Sequence, residues 1–227
     1  MIKGIATVKK KVGMENDEFH RYWRKTHGPL ALKMSKLRGY VQSHRSDESV
    51  PGFEECPYDG VAEVWFDDLE TMQSLSQDPE YVENAMRDEP NFADLESLKF
   101  LCTEERLIID DPQPASEKPP VKAIFLISRK DGMSVPEFQD YWFSEHAPQI
   151  PRDAGVARYT QCHQVQSTYE TGSPAYDGGA ELSFRDIDAF RDYWLSDRVQ
   201  AIFAADAPRF LHPEKCTAFL AIENRLR

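Results

Sequence analysis

Four histidines form two pairs at equivalent positions, and histidine is the side chain that most readily exchanges protons near pH 7. The first stretch is "FHRYWRKTHGPLALKMSKLRGYVQSH", in which a His-x-Pro precedes a Tyr-x-Gln-x-His. The second is "FQDYWFSEHAPQIPRDAGVARYTQCH". His27 is thereby paired with His146, and His44 with His163. These residue types at this spacing predict acid/base chemistry carried out by imidazole groups.

A carboxylate is expected beside one histidine of each pair. Asp59 opens a predicted strand close to the point where His44 ends its own strand, and Asp177 is the equivalent residue in the second copy. Such a carboxylate would fix the tautomer of the imidazole and stabilise its protonated form, so that the histidine titrates usefully near pH 7. The predicted catalytic residues are His27, His44, Asp59, His146, His163 and Asp177.

Each of these residues also has a structural interpretation. "THGP" is typical of a helix end, with histidine in the last turn, glycine after it and proline beyond, although "EHAP" lacks the glycine. His44 and His163 can equally be polar strand ends, and Asp59 a turn residue before a glycine. The sequence leaves both kinds of role open.

Aromatic and acidic side chains around the histidines are predicted to line a pocket in each copy. Tyr40 lies on the same strand face as His44, where it either packs or touches a ligand. Glu63 and Glu181 lie on the strand face opposite the apolar one, where a hydrogen bond between sheets is as reasonable as catalysis. The predicted substrate-binding residues are Tyr22, Trp23, Tyr40, Glu63, Trp65, Tyr141, Trp142, Tyr159 and Glu181.

The two stretches belong to a duplication of nearly the whole chain. At an offset of 119 residues Tyr22 aligns with Tyr141, and "YVQSH" aligns with "YTQCH". After a one-residue slip "YDGVAEVWF" aligns with "YDGGAELSF", and "FLCTEERL" aligns with "FLAIENRL" back at the first offset. The period is too long for a solenoid repeat, so each copy is interpreted as a domain.

The domain boundary is predicted in "DDPQPASEKPP", which is rich in proline and acidic residues. We expect one domain at 1–110, a linker at 111–120 and a second domain at 121–227. Hydrophobic periodicity predicts β-α-β-β-α-β in each, with a second helix over roughly Leu69 to Met86 and a capping box at Ser134. The predicted fold class is α+β, with two ferredoxin-like units packed sheet to sheet, because each unit alone leaves one sheet face bare.

Composition restricts the partners. The chain has 227 residues and a formal net charge of −12, which disfavours nucleic acid and anionic membranes. It contains no apolar run of membrane-spanning length and no signal-peptide pattern. Its four cysteines show no Cys-x-x-Cys and no equivalence across the repeat, and the histidines lack short metal-ligand spacings. We therefore expect a reduced, cytoplasmic protein without a metal.

The combination of "FHRYWRKTHGPLA", "YVQSH" and "YDGVAEVWFDD" resembles the EthD-domain family of the dimeric α/β barrels. It recurs in the second copy, so the resemblance covers nearly the whole chain. The resemblance implies ferredoxin-like units paired sheet on sheet as an intrachain dimeric α/β barrel, with a small-molecule pocket in each unit. Proteins of this group include polyketide cyclases, decarboxylases, muconolactone isomerases and cofactor-free oxygenases, which implies a small aromatic or polyketide-like substrate.

The function expected from these observations is that of a lyase or isomerase that needs no cofactor and uses histidine acid/base catalysis. A cofactor-free or haem-dependent oxidoreductase on the same fold is an alternative. A protein that binds a small molecule without transforming it is another. A homodimer of the tandem chain is a further expectation.

Overall fold

The computed structural model describes residues 1–53 and 56–227. Its strands are β1 Ile2–Val8, β2 Gly39–Arg45, β3 Gly60–Phe66, β4 Phe100–Asp110, β5 Val121–Ile127, β6 Arg158–Gln164, β7 Gly178–Phe184 and β8 Thr217–Arg225. Its α-helices are α1 Asn16–Tyr22, α2 Gly28–Ala31, α3 Leu69–Gln73, α4 Met86–Phe92, α5 Val135–Tyr141, α6 Ile187–Trp194 and α7 Asp197–Phe210. Three π-helical segments cover Trp23–His27, Tyr81–Ala85 and Trp142–His146.

The chain forms two compact units. The first unit consists of Met1–Arg45, Pro57–Glu104 and Glu223–Arg227, and the second of Ser46–Cys56 and Glu105–Ile222. Strands β4 and β8 are therefore divided between the units, which the predicted boundaries at 110 and 121 did not foresee. The boundaries at 110 and 121 remain a prediction of where one sequence copy ends and the other begins.

Within each unit the strands follow the same order. Hydrogen-bonded neighbours run β4-β1-β3-β2-β8 in the first unit and β8-β5-β7-β6-β4 in the second. Strand β1 is antiparallel to β3 and β4, with Ile5 opposite Leu101, and Ile124 lies opposite Phe219 in the same way. Leu101 is thus equivalent to Phe219, so the predicted alignment of the two last strands is wrong by one residue.

The α+β class predicted from the sequence is confirmed, with one difference in the helices. The helix predicted over Leu69 to Met86 is interrupted, because α3 ends at Gln73 and proline at position 79 disfavours helical geometry at Asp78. The predicted capping box is present, since Ser134 and Glu137 bond reciprocally at the start of α5. The ferredoxin-like assignment and the sheet-to-sheet packing remain predictions.

Each unit packs its helices against one face of its sheet through aromatic side chains. Phe19, Trp23 and Phe92 join Val8 in the buried cluster of the first unit. Phe138, Trp142 and Phe210 have the same positions in the much larger cluster of the second unit. This packing fixes the helix that carries the first histidine of each pair.

Gly60 and Gly178 start β3 and β7 where these strands pass under a tryptophan. A Cβ atom at Gly60 would lie 2.5 Å from the Ser43 carbonyl oxygen and 2.8 Å from the Trp23 ring, and at Gly178 the corresponding distances are 2.7 and 2.8 Å. We expect Gly60→Ala to lower the free energy of unfolding by about 1–3 kcal/mol, because backbone and ring must move to accept the methyl group. Denaturant unfolding measures the loss. An unchanged midpoint would mean that the strand and the tryptophan are less tightly packed than described.

Candidate functional site

A buried histidine–aspartate pair lies in the first unit, between the π-helical segment Trp23–His27 and helix α4. Nδ1 of His27 is 3.1 Å from Oδ2 of Asp88, and the Tyr22 hydroxyl donates to Oδ1 of Asp88 at 2.6 Å. The Asn91 amide donates to the same oxygen at 3.0 Å. With Nδ1 held by the carboxylate, Nε2 is the ring nitrogen left to act on another molecule.

The second unit repeats this arrangement. Nδ1 of His146 is 2.7 Å from Oδ2 of Asp206, and the Tyr141 hydroxyl donates to Oδ1 of Asp206 at 2.7 Å. His27 is 7% exposed and His146 is 5% exposed. We call His27, Asp88 and Tyr22 the first array, and His146, Asp206 and Tyr141 the second array.

The protonation states of the arrays suit a base. Burial lowers the pKa of both histidines below the usual 6.5, although the aspartates partly offset it. Burial alone would raise the pKa of Asp88, but hydrogen bonds from Tyr22, Asn91 and His27 bring it below its usual range. At neutral pH the pair is therefore a carboxylate beside a neutral imidazole, which can accept a proton at Nε2.

A π-helical turn positions each of these histidines. The Trp23 carbonyl accepts the Gly28 N–H, five residues on, and also the Gln42 side-chain amide at 2.8 Å. Gln161 makes the same bond to the Trp142 carbonyl at 2.9 Å. The strand therefore anchors the turn, and π-bulges of this kind are frequent at functional sites.

The helix does not end at these histidines. Gly28 has φ −51° and begins α2, so His27 is not in the last turn before a glycine stop, as "THGP" suggested. Ala147 likewise continues in helical geometry after His146. The interpretation of these histidines as helix ends is wrong.

His44 and His163 lie under the tryptophans. The His44 ring centroid is 4.4 Å from that of Trp23, its Nδ1 is 2.8 Å from Nδ1 of His20, and its Nε2 is 3.3 Å from the Gln42 side-chain oxygen. Nε2 of His163 is 2.9 Å from the Gln161 side-chain oxygen. Burial lowers the pKa of His44 to about 2, aided by the positive field of Arg24 and of His20. The expectation that these histidines titrate near pH 7 is wrong.

The neutral state of these two histidines predicts acid sensitivity. Burial also lowers the pKa of His163 to about 3, so in the folded protein neither ring takes up the proton that its unfolded form binds below pH 6.5. The contribution of the two neutral histidines to the free energy of unfolding is then fully present above pH 6.5. Below pH 6.5 the free energy of unfolding falls by about 1 kcal/mol per pH unit for each histidine. Denaturant unfolding between about pH 7.5 and 5 measures this slope. His44→Gln removes one titrating group and should flatten the slope; an unchanged slope in this variant would contradict the assignment.

Tyr40 and Tyr159 also belong to the buried network. The Gln42 amide donates to the Tyr40 hydroxyl at 3.0 Å, and the Gln161 amide donates to the Tyr159 hydroxyl at 2.9 Å. Burial raises the pKa of Tyr40 to about 12, although the bond from Gln42 opposes it. The two tyrosines are neutral at physiological pH and hold the glutamines that anchor the π-helical turns.

The predicted carboxylate partners of the strand histidines lie elsewhere. Asp59 accepts the Lys10 N–H at 2.7 Å. Asp177 accepts the Arg129 N–H at 2.8 Å and the Tyr169 hydroxyl at 2.7 Å, and it pairs with the Arg129 guanidinium. Within the described parts of the chain neither aspartate is bonded to His44 or His163. Both instead hold the loops that follow β1 and β5.

Glu63, Trp65 and Glu181 lie on the other face of the sheet. Glu63 is paired with Lys3 at 2.9 Å, and the Lys3 ammonium lies 4.7 Å from the centre of the Trp65 ring. Glu181 is 3.6 Å from the Lys122 ammonium. Because side chains alternate along a strand, these residues cannot share a site with the histidines, and their predicted role in lining that pocket is corrected.

One carboxylate–thiol group also lies on this second face. Oxygens of Glu105 and Glu181 and the sulfur of Cys162 lie within 4.8 Å of one another, close enough to hold a metal ion. The neighbouring Lys122 ammonium competes for Glu181. This group of possible metal ligands contains none of the histidines and aspartates that the sequence predicted to be catalytic.

Sequence reasoning missed both array aspartates. A signal was present, because "DEPNF" beginning at Asp88 and "DAPRF" beginning at Asp206 share Asp-x-Pro-x-Phe at the slipped offset of the repeat. The lysines that pair with the two strand glutamates were also missed, although "IKGIATV" and "VKAIFLI" match at the first offset.

Comparison with solved structures shows first which proteins share this fold. A candidate monooxygenase from Fusobacterium nucleatum subsp. nucleatum is similar over 100% of this chain and 92% of its own, at 9% identity and a TM-score of 0.57. An anthrone oxidase-like protein is similar over 99% and 93%, at 8% identity and a TM-score of 0.63. Chlorite dismutase from Candidatus Nitrospira defluvii is similar over 99% and 91%, at 13% identity and a TM-score of 0.56. At these identities the likeness concerns the fold.

The family follows from the sequence itself. The model of the EthD domain matches residues 11–96 and again 130–214. The chain therefore belongs to the EthD domain family, as a tandem duplication. No protein with a curated description matches it. Among the described residues, no helix combines the length and the apolar character that crossing a membrane would require.

Proposed function

We propose that the protein is a lyase or isomerase of small aromatic or polyketide-like molecules that works by proton transfer without a cofactor. The observation that carries this proposal is the buried His–Asp–Tyr array, present in both copies of the repeat. A histidine held at Nδ1 by a carboxylate is the arrangement that general-base catalysis requires. The substrate class rests on the family resemblance.

The chemistry can be followed atom by atom. Asp88 accepts the Nδ1 proton of His27 and fixes the tautomer in which Nε2 carries a lone pair. Nε2 then accepts a proton from a substrate carbon, and the carboxylate stabilises the imidazolium that forms. The Tyr22 hydroxyl holds Asp88 in place. A positioned base of this kind contributes about 10²–10⁴-fold to the rate.

The surroundings of His27 suit an apolar ring. The Phe92 ring centroid is 4.7 Å from that of His27, and Phe92 stacks on Tyr22 at 5.7 Å. Such rings exclude water from the imidazole and keep its surroundings apolar. The net charge of −12 disfavours a polyanionic substrate.

An oxidoreductase is the second candidate, favoured by the names of the similar structures described above. In a haem-dependent form, iron would supply the oxygen chemistry. Nε2 of His27 or His146 would hold the iron, since the aspartates hold Nδ1.

Ring opening of 5-nitrobenzisoxazole tests the proposal, because this aromatic probe reacts once a base removes its carbon-bound proton and the N–O bond breaks. We expect a rate above that of buffer and of heat-denatured protein, unchanged by EDTA. A rate no higher than that of buffer contradicts proton-transfer catalysis. A Soret band in the purified protein, or oxygen uptake with an aromatic substrate, would instead favour the oxidoreductase.

A further inference from the structure

The two units differ in what fills the space between helices and sheet. In the second unit four aromatic rings, from Phe53, Phe125, Trp194 and Phe203, lie together there. The Trp194 centroid is 5.1 Å from those of Phe53 and Phe203, and Phe203 is 5.9 Å from His146. The second array therefore faces side chains of its own unit.

The first unit has small residues at the equivalent positions. Along the repeat Ala6 is equivalent to Phe125, Ser76 to Trp194 and Ala85 to Phe203. One aromatic residue, Phe100, lies opposite Ala6 and is 41% exposed. The space that rings occupy in the second unit is thus not filled by equivalent side chains in the first.

Exposure of the sheet agrees with this difference. On the helix-facing side of β3, Ala62 and Val64 are partly exposed. Their equivalents on β7, Ala180 and Leu182, are only 8% and 3% exposed. The helix-facing side of the sheet is therefore accessible in the first unit and covered in the second.

A second carboxyl group lies beside the first array. Glu89 follows Asp88 on α4, accepts the Tyr81 hydroxyl at 2.6 Å through Oε1, and acts electrostatically on Tyr40 of β2. Burial raises the pKa of Glu89 above its usual range, although the bond from Tyr81 opposes this and the charge of Asp88 adds to it, so the carboxyl group keeps its proton to a higher pH than an exposed glutamate does. Ala207 is the equivalent residue in the second unit, so this group exists in one copy only.

The local backbone differs in the same place. Tyr81–Ala85 is π-helical in the first unit, whereas the equivalent part of α7 is regular α-helix. The π-turn precedes α4, which carries Asp88 and Glu89, and Tyr81 within it holds Glu89. Single π-helical turns inside helices are frequent at functional sites.

We propose that Glu89 is the proton donor of the first-unit site, and that the second unit, which lacks it, has no working site. This inference rests on the proposed function. In an elimination, Nε2 of His27 takes a proton from carbon, the bond from the neighbouring carbon to oxygen breaks, and Glu89 gives its carboxyl proton to that leaving oxygen. Solvent then restores both groups, so that no oxidant or reductant is needed.

Glu89→Gln tests the donor with 4-hydroxy-4-phenyl-2-butanone, an aromatic β-hydroxyketone whose hydroxyl group leaves as water once its oxygen has received a proton. In the native protein we expect a bell-shaped pH–rate profile, because the base must be neutral and the donor protonated. The acid limb reports the pKa of His27, which Asp88 and Tyr22 face. The alkaline limb reports the pKa of Glu89, which is influenced by the neighbouring Asp88, Tyr81 and Tyr40. The variant should have a kcat about 10²-fold lower than that of the native protein. Its pH–rate profile should keep the acid limb and lack the alkaline limb.

Glu83→Gln is the matched control, since Glu83 is exposed in the same π-turn. It should keep the native profile, and both variants should keep the native thermal midpoint. A Glu89→Gln enzyme with an unchanged rate and profile overturns the donor role. If His27→Ala nevertheless abolishes the rate, the proposed function stands and only this inference fails.

Filling the space between the helices and the sheet of the first unit with an aromatic ring tests whether the working site lies in that unit. Ser76→Trp copies Trp194 at an exposed position that accepts a ring without unfolding. It should lower kcat/KM at least about tenfold, because the ring takes the place of the substrate. Gln77→Trp, at the exposed neighbouring position, should leave the rate unchanged. If Ser76→Trp retains the native rate, the reaction does not depend on this space and the assignment of the working site to the first unit is wrong.

Discussion

His27→Ala is expected to lower the turnover of 5-nitrobenzisoxazole by about 10²-fold or more while the protein stays folded. The substitution removes the one ring nitrogen that the Asp88 bond leaves for the substrate. Asp88→Asn should act in the same direction, because an amide can hold the imidazole in the wrong tautomer. The decisive measurement combines turnover and thermal midpoint on one preparation.

A purely structural histidine would behave differently. Its loss would cost on the order of 1 kcal/mol of stability and leave turnover nearly unchanged. His146→Ala, measured beside it, gives the share of turnover that the second array carries. Native turnover in both single variants and in the double variant would refute the histidine mechanism and favour a binding protein.

Glu63→Ala is expected to lower the free energy of unfolding by about 3–5 kcal/mol. Glu63 and Lys3 are each 1% exposed and their charged atoms are 2.9 Å apart, so the substitution leaves an ammonium group in a buried place without its carboxylate. The Ser43 hydroxyl, which donates to Glu63, loses that acceptor as well. Denaturant unfolding at neutral pH measures the effect.

The double variant Lys3→Met/Glu63→Leu is the matched control. It removes both charges and keeps most of the volume, so it should recover most of the lost stability or exceed it. The Lys99→Met/Glu70→Leu pair, at exposed positions in the same unit, should change stability little. A Glu63→Ala protein as stable as the native one would show that the pair is not buried as described.

The sequence alone determined the duplication, the α+β class, the family and the two histidine pairs. These follow from patterns that need no knowledge of distant contacts, namely an offset that recurs and a periodicity that alternates. Most strands were predictable for the same reason, because side chains of one strand alternate between faces. His27 was identified as a candidate because its type and its position recur together in His146.

The tertiary structure alone decided which carboxylate serves which histidine. Asp88 is 61 residues from His27 along the chain, and only the packing of α4 against the π-helical turn brings the two together. Spacing suggested Asp59 for His44, but side chains at neighbouring strand ends need not point the same way, and Asp59 bonds to the backbone of Lys10 instead. Burial, which no local pattern reveals, made His44 a neutral ring and Glu63 half of an ion pair. The protonation state of a side chain and its ion-pair partner depend on burial and on contacts with distant parts of the chain. The tertiary structure creates both, and local sequence patterns do not specify them.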